Sequence, residues 1–426
     1  MLFQLCPSQL GPSQLGPSQL GHSRLGHSRL GHSRLGHGRL GHGRLGHSRL
    51  GHIQLGQNIH RDNVWLRSSA LALLLSLIPI ATSQAQQTVP PEKVVGRNVC
   101  QICHKAEHKA WEKSSHNLKA WKLLEHPKAA EFAKALGVTD IQGDSACTQC
   151  HGTQQMKQNK LIIAQGNSCE SCHGGAGGKG GWLTAHCDFG LGRKISSATT
   201  MSALMKDRVE ETKAHRDSRD AACKTAGMNR SADALQIAKN CLQCHLVPNE
   251  TLVEAGHPMT TRFEFVEWSQ GEVRHNFLLN PKINAEAPTN WSSQLRHGSG
   301  RTADGRKRLM YVVGQLADLE VSLRIRATAS STKRGSLGDE ANDRIVDILE
   351  ELNELEIADL KPALATLEGI DKKSLKEITA KDKQLYTDAA AKLSVGSEAF
   401  VKAHPDGSKL PASIKIPIKA KGEPSQ

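Results

Sequence analysis

The sequence predicts a mainly α-helical chain, in which short helices and loops wrap around something other than side chains, followed by a C-terminal helical appendage. Three observations carry this. Apolar positions away from the cysteine motifs recur at helical spacing, and no strand-length alternating run stands out. Aromatic residues are only 4% of the 426, thin for a core of this size, because large planar side chains normally supply much of the buried apolar area. Cysteine and histidine are abundant instead, at 11 and 21 residues.

The first 85 residues do not read as folded protein. From Ser8 to about Leu55 the chain repeats every five residues, first Pro-Ser-Gln-Leu-Gly and then His-Ser-Arg-Leu-Gly. A period of five fits neither helix nor strand, and a glycine in each unit opposes both. Residues 1–60 are therefore assigned to low-complexity repeat, outside the mature protein. Arg61 and Arg67 precede an apolar run, Ala70 to Ala81, and then Ser83-Gln84-Ala85. This is the charged, apolar and small-x-small pattern of a secretory signal peptide, spanning 61–85 and cleaved near Ala85. The run contains Pro79 and is too short to span a membrane. Translation is expected to begin near Val64, and the mature protein at Gln86. Residues 1–85 hold eight Arg, no Lys and one acid, Asp62, so they supply +7 of the net +13. The remaining +6 is a modest charge that argues against a nucleic-acid footprint.

Ten cysteines remain beyond the leader, and eight of them form four pairs. These are Cys100-Gln-Ile-Cys103-His104, Cys147-Thr-Gln-Cys150-His151, Cys169-Glu-Ser-Cys172-His173 and Cys241-Leu-Gln-Cys244-His245. Two thiols at this spacing can form thioethers with the two vinyl groups of one haem, and the following imidazole then meets the iron from the same side. Chance placement would give on the order of 0.01 such motifs per chain. Zinc ribbons do not require a His after every second Cys, and a redox Cys-x-x-Cys normally occurs once, in a βαβ setting. The motifs imply four covalently bound haem c groups. Such attachment takes place outside the bacterial cytoplasm, in agreement with the export signal. The haem macrocycles would also replace the missing aromatic core.

Porphyrin and motif His fill five positions on each iron, so the sixth ligand sets function. Nine further His lie outside the leader. Position favours His116, 12 residues past the first proximal His, together with His186, 13 past the third, and His275. His257, in Gly256-His257-Pro258, is a weaker candidate. His108, His126, His215, His297 and His404 sit in polar or Lys-rich surroundings and are expected to be solvated.

Three segments carry a resemblance: the first motif leading to Ala110-Trp111 and Ser114-Ser115-His116, Asn167 through Gly175 running into Gly181-Trp182-Leu183-Thr184-Ala185-His186, and Trp268 through Phe277. Over roughly residues 95–325 the chain resembles the cytochrome c-554 family of tetrahaem cytochromes. The resemblance implies three bis-histidine haems and one five-coordinate, high-spin haem, in a protein that takes electrons from hydroxylamine oxidation. It implies His116, His186 and His275 as distal ligands and an open face on the haem at Cys147–His151. The tail beyond 326 has no counterpart in it.

The glycine-rich run Gly174–Gly181 contains Lys179 but no Ser or Thr after it, so it is not a phosphate-binding loop; it reads as backbone passing close to a haem face or as a flexible turn. Cys187 and Cys223 belong to no motif and are candidates for a disulfide in an oxidising compartment. Leu309, Val312, Val313, Leu316, Leu319 and Leu323 form one apolar stripe on a core-facing helix. The tetrahaem domain is assigned to 86–326, a Ser/Thr/Gly-rich linker to 327–340, a helical appendage to 341–404 and a mobile tail to 405–426. Ile345, Ile348, Leu349, Leu352 and Leu355 mark the appendage's first helix, with Asp343 expected to cap it.

The leading functional expectation is an exported, periplasmic electron-transfer protein with redox proteins as donor and acceptor (cytochromes or a multihaem oxidoreductase), no nucleic-acid partner and no transmembrane anchor. The alternative is an oxidoreductase acting on NO, hydroxylamine or nitrite at an open haem, with Arg274 or Lys179 as proton donors only if the fold brings them to it. A third reading, resting on the C-terminal helices alone, is a scaffold for a larger complex.

Overall fold

The computed structural model describes residues 89–143, 145–190, 210–230, 233–259, 263–269, 303–367, 370 and 379–417. The pentapeptide repeat, the signal-peptide segment, Gln86, Arg274, His275 and His297 lie outside the described residues.

From residue 97 to 190 the elements are short. They comprise α1 (Arg97–Gln101), α2 (Lys105–Glu112), α3 (Pro127–Leu136), α4 (Ser145–His151), strands β1 (Gly152–Lys157) and β2 (Lys160–Gln165), α5 (Cys169–His173) and α6 (Leu183–His186). Proline at its first position and the His126 ring, which accepts the Lys128 N–H at 3.3 Å, start α3; Gly137 at φ 71° ends it. The hairpin was not expected. Leu161 to Ala164 is a continuous apolar run rather than an alternating one, so period two is hidden. Its two-residue loop, Gln158-Asn159, has both residues at positive φ, 51° and 60°, the geometry that matches strand twist.

The glycine run passes close to other parts of the protein chain. A Cβ on Gly174 would lie 2.3 Å from the Gly227 carbonyl oxygen, and one on Gly177 would lie 2.4 Å from a Val95 methyl carbon. Gly177 lets the run close over the segment before α1, and Gly174 lets it pass close to Gly227.

The later chain is different. Here α7 (Lys213–Thr225), α8 (Ala234–His245), α9 (Glu250–Glu254) and α10 (Phe265–Ser269) lead to α11 (Ala303–Thr328), α12 (Leu337–Glu354), α13 (Lys361–Ala365) and α14 (Ala380–Ala403). The expected stripe on α11 is buried, but so are Met310, Ala317 and Ile325 on its other faces. The reason is that α8, α10, α12 and α14 all pack against it. Gly314 makes one approach possible, since a Cβ there would sit 2.7 Å from Phe265 Cβ. Buried charges are paired: Arg344 with Asp318, which also accepts from Ser322, and Lys239 with Glu320 at 2.6 Å. Arg326 lies 4.7 Å from the Tyr386 ring centroid and donates from Nε to Asn342 at 2.8 Å.

One hydrophobic core runs from Ala234 to Ile414, so the helices of 341–404 share it with α8 and α11. The cap of α12 is Ser336, whose hydroxyl accepts the Asp339 N–H; Asp343 lies inside the helix. The earlier Ser wins because Gly335 at φ 77° turns the chain and donates its N–H to Asp339. His404, expected in solvent, is buried against Phe400 with Nε2 2.8 Å from Asp359. His108 is buried too, against Trp111 and 3.4 Å from the Glu112 carboxylate. His215 is bonded to Glu211 at 2.9 Å, and His126 is exposed as expected.

Among the described residues no helix is long and apolar enough to cross a membrane.

Candidate haem sites

In the second, third and fourth motifs the segment ends its helix on the motif His: α4 at His151, α5 at His173 and α8 at His245. Residues i, i+3 and i+4 share a helix face, so helical backbone alone presents both thiols and the imidazole together. The first motif leaves α1, but the His104 N–H still bonds the Cys100 carbonyl at 2.9 Å, completing the same turn.

What faces each motif His comes from elsewhere in the chain. The His104 and His186 ring centroids are 6.1 Å apart, those of His245 and His116 are 6.3 Å apart, and those of His151 and His257 are 6.4 Å apart. Two imidazoles on opposite sides of one metal, each with a nitrogen about 2 Å from it and a ring centre about 1 Å beyond, are separated by about 6 Å. The three pairs fit a six-coordinate iron between them. Among the described residues no group of three or more His, Cys, Asp or Glu converges on a metal-ion position, so a zinc ribbon lacks its ligand set. Of the expected distal residues, His116 and His186 stand in such pairs. His257, the weaker candidate, stands opposite His151, where the resemblance implied an open face.

Ring orientation supports the same chemistry. Nδ1 of His151 donates to the Ala120 carbonyl at 2.9 Å, and Nδ1 of His173 donates to that of Asn229 at 2.8 Å. A carbonyl accepts only from N–H, so each bond leaves the Nε2 lone pair for a metal. Burial lowers the pKa of both rings. Burial, reinforced by His116, pushes His245 down to about 4. Neutral imidazole is the ligating form. Aromatic rings fix the sites: Phe263 stacks on His245 at 4.8 Å, Trp268 meets it edge-on at 5.0 Å, and Trp182 meets His186 at 5.5 Å.

The motifs touch in an order unlike their order in sequence. Cys100 lies beside Cys169, and Cys150 beside Cys244. Asn240, beside the fourth motif, donates to the carbonyls of Ser171 and Cys172, each at 3.1 Å. Asn167 ties the second motif to the first distal segment, donating to the Cys150 carbonyl at 2.6 Å while its N–H bonds the His116 carbonyl at 2.7 Å.

Glu170, an "x" residue of the third motif, was not singled out by sequence reasoning. Its fully buried carboxylate accepts the N–H groups of Val95, Gly96 and Ala176 at 3.0, 2.7 and 2.9 Å. Burial raises its pKa and the three bonds act against that rise. Only its acidity inside a cysteine motif hinted at a role. Cys223 is a fully buried free thiol, so the disulfide with Cys187 is not made.

Thiol pairs on a helical turn, each completed by an imidazole that a second imidazole can face across an iron, are the construction of a c-type cytochrome: an electron-transfer protein with covalently bound haem c. Residues 99–174, which contain three of the four motifs, match the family model described as cytochrome c554 and c-prime. Over that segment, and no further, the chain is similar to the cytochrome c554 family. No curated protein and no solved structure matches it.

Proposed function

We propose that the protein is an exported tetrahaem electron carrier, relaying electrons between redox proteins. The observation that carries this is the set of three His–His pairs at 6.1 to 6.4 Å, each joining a motif His to a distant one. Bound haem supplies the one-electron Fe(III)/Fe(II) couple. Cys100/Cys103, Cys147/Cys150, Cys169/Cys172 and Cys241/Cys244 anchor it, and His104, His151, His173 and His245 are the proximal ligands. His186 and His116 serve as distal ligands opposite His104 and His245, and His275 remains the proposed ligand for a further haem. Paired imidazoles keep the ligand geometry nearly constant between oxidation states, so little rearrangement opposes transfer. The contacts between motifs give a wire in the order first, third, fourth, second. By the family resemblance, the donor lies on the side of hydroxylamine oxidation.

Intact-protein mass spectrometry with reductive titration tests this reading. Four haem additions on a chain beginning at Gln86, reduced in four one-electron steps, are expected. Fewer additions, or peptides from residues 8–55 in the mature protein, overturn the corresponding part.

A further inference from the structure

We infer that His257 is the sixth ligand of the haem carried by Cys147, Cys150 and His151, which makes that haem closed and low-spin. The inference rests on the tetrahaem reading above and concerns the position where the family resemblance implies an open iron.

Three independent features of the chain aim this imidazole. Its ring centroid is 6.4 Å from that of His151, within 0.3 Å of the spacing in the other two pairs. Its Nδ1 lies 3.1 Å from the Pro258 carbonyl oxygen, which accepts the ring proton and leaves Nε2 as the lone-pair nitrogen. On the opposite side, His151 is held in the same tautomer by Ala120. In both rings Nε2 is therefore the nitrogen left with a lone pair for a metal.

The backbone explains why His257 stays there. Asn249 caps α9, accepting the Leu252 N–H at 3.0 Å. Gly256, at φ 89°, reverses the chain at the other end, and the His257 N–H returns to the Leu252 carbonyl at 2.9 Å. Phe132 of α3 packs against the ring with centroids 5.1 Å apart. Beyond it, Val247 N–H bonds the Met259 carbonyl and closes the loop. A histidine tied at both backbone ends and wedged by a phenylalanine is a fixed ligand rather than a surface side chain. Its presence removes the open coordination position that catalysis on NO, hydroxylamine or nitrite at this haem requires.

The test compares full-length holoprotein with its His257→Ala variant by quantitative EPR, with haem content measured on the peptide carrying Cys147 and Cys150. High-spin ferric signal is expected to grow by one haem per chain, and the reduced variant is expected to bind one more CO than wild type. Unchanged spin content and CO stoichiometry overturn the assignment. If the alanine variant does not accumulate, His257→Met decides: a new near-infrared charge-transfer band of His/Met ligation supports it, and its absence in a folded protein overturns it. A peptide without haem defeats both this inference and the tetrahaem reading, whereas a haem-bearing peptide with unaltered spin state defeats His257 alone.

Discussion

The segment from residue 97 to 190 and the bundle of α8, α11, α12 and α14 are both helical, yet they are held together by opposite means. The bundle has a continuous apolar core in which Leu316, Leu319, Leu323, Leu393 and others are fully buried. The haem-motif region buries few large apolar side chains, chiefly Trp111, Trp121, Leu124 and Trp182. It relies instead on polar ties from side chain to backbone, such as Trp111 Nε1 to the Asn167 carbonyl at 2.6 Å and Trp182 Nε1 to that of Gly174 at 3.0 Å. Net hydrogen bonds contribute only about 1 kcal/mol each, so under the proposed tetrahaem reading the haem macrocycles are the apolar surface around which this region is built. On that reading residues 97–190 depend on their cofactor for stability, whereas the bundle has an apolar core of its own even though α8 carries the fourth motif.

The strongest way to break the comparison is to withhold haem. In the apo-chain, amides of 97–190 are expected to lose roughly 10³-fold or more of their exchange protection, as loss of a tight ligand predicts, while α11 and α14 stay protected. Equal loss in both regions, seen by hydrogen exchange, would refute the division. Next, Leu316→Ala in the bundle should cost about 3–4 kcal/mol, read as a lower midpoint in denaturant, with the spectrum of the His104–His186 haem unchanged.

A smaller effect sharpens the account of the haem-motif half. Glu170→Ala strips one buried and two partly buried N–H groups of their acceptor and is expected to cost about 3 kcal/mol, with earlier proteolysis near Val95 rather than in the bundle. Glu170→Gln, which keeps one acceptor oxygen, should recover part of it. The smallest expected effect is at Glu211, buried beneath Arg219, which binds it through two nitrogens at 2.7 and 3.0 Å. Burial would raise its pKa, but the hydrogen bonds from Arg219 and His215 outweigh burial and hold it at about 2, against an ordinary 4.5. The folded pKa is the lower one, so the stabilisation is complete above pH 4.5 and is lost as pH falls through 2. Removing it with Arg219→Ala should cost about 2 kcal/mol at pH 7 and nothing near pH 1. A pH-independent loss would mean that packing of Arg219 on Phe189, 5.3 Å away, is what the mutation removes.

Whatever depends on neighbours a few residues apart could be read from the order of residues alone. Cysteine, cysteine and histidine at i, i+3 and i+4 must share a helical face, so the anchoring side of every candidate haem site was legible before any fold was known. The stripe from Leu309 to Leu323 was legible for the same reason, because its period is that of the helix. Which distant imidazole stands opposite which motif follows from long-range packing: His186 before His104, His116 before His245 and His257 before His151. It also decided that the first motif touches the third and the second touches the fourth, that Glu170 binds the chain before α1, and that α11 is covered on several faces instead of one. None of these has a period to read. They are set by contacts between residues tens to a hundred or more positions apart, where a single histidine looks alike in sequence whether it faces an iron, an aspartate or water.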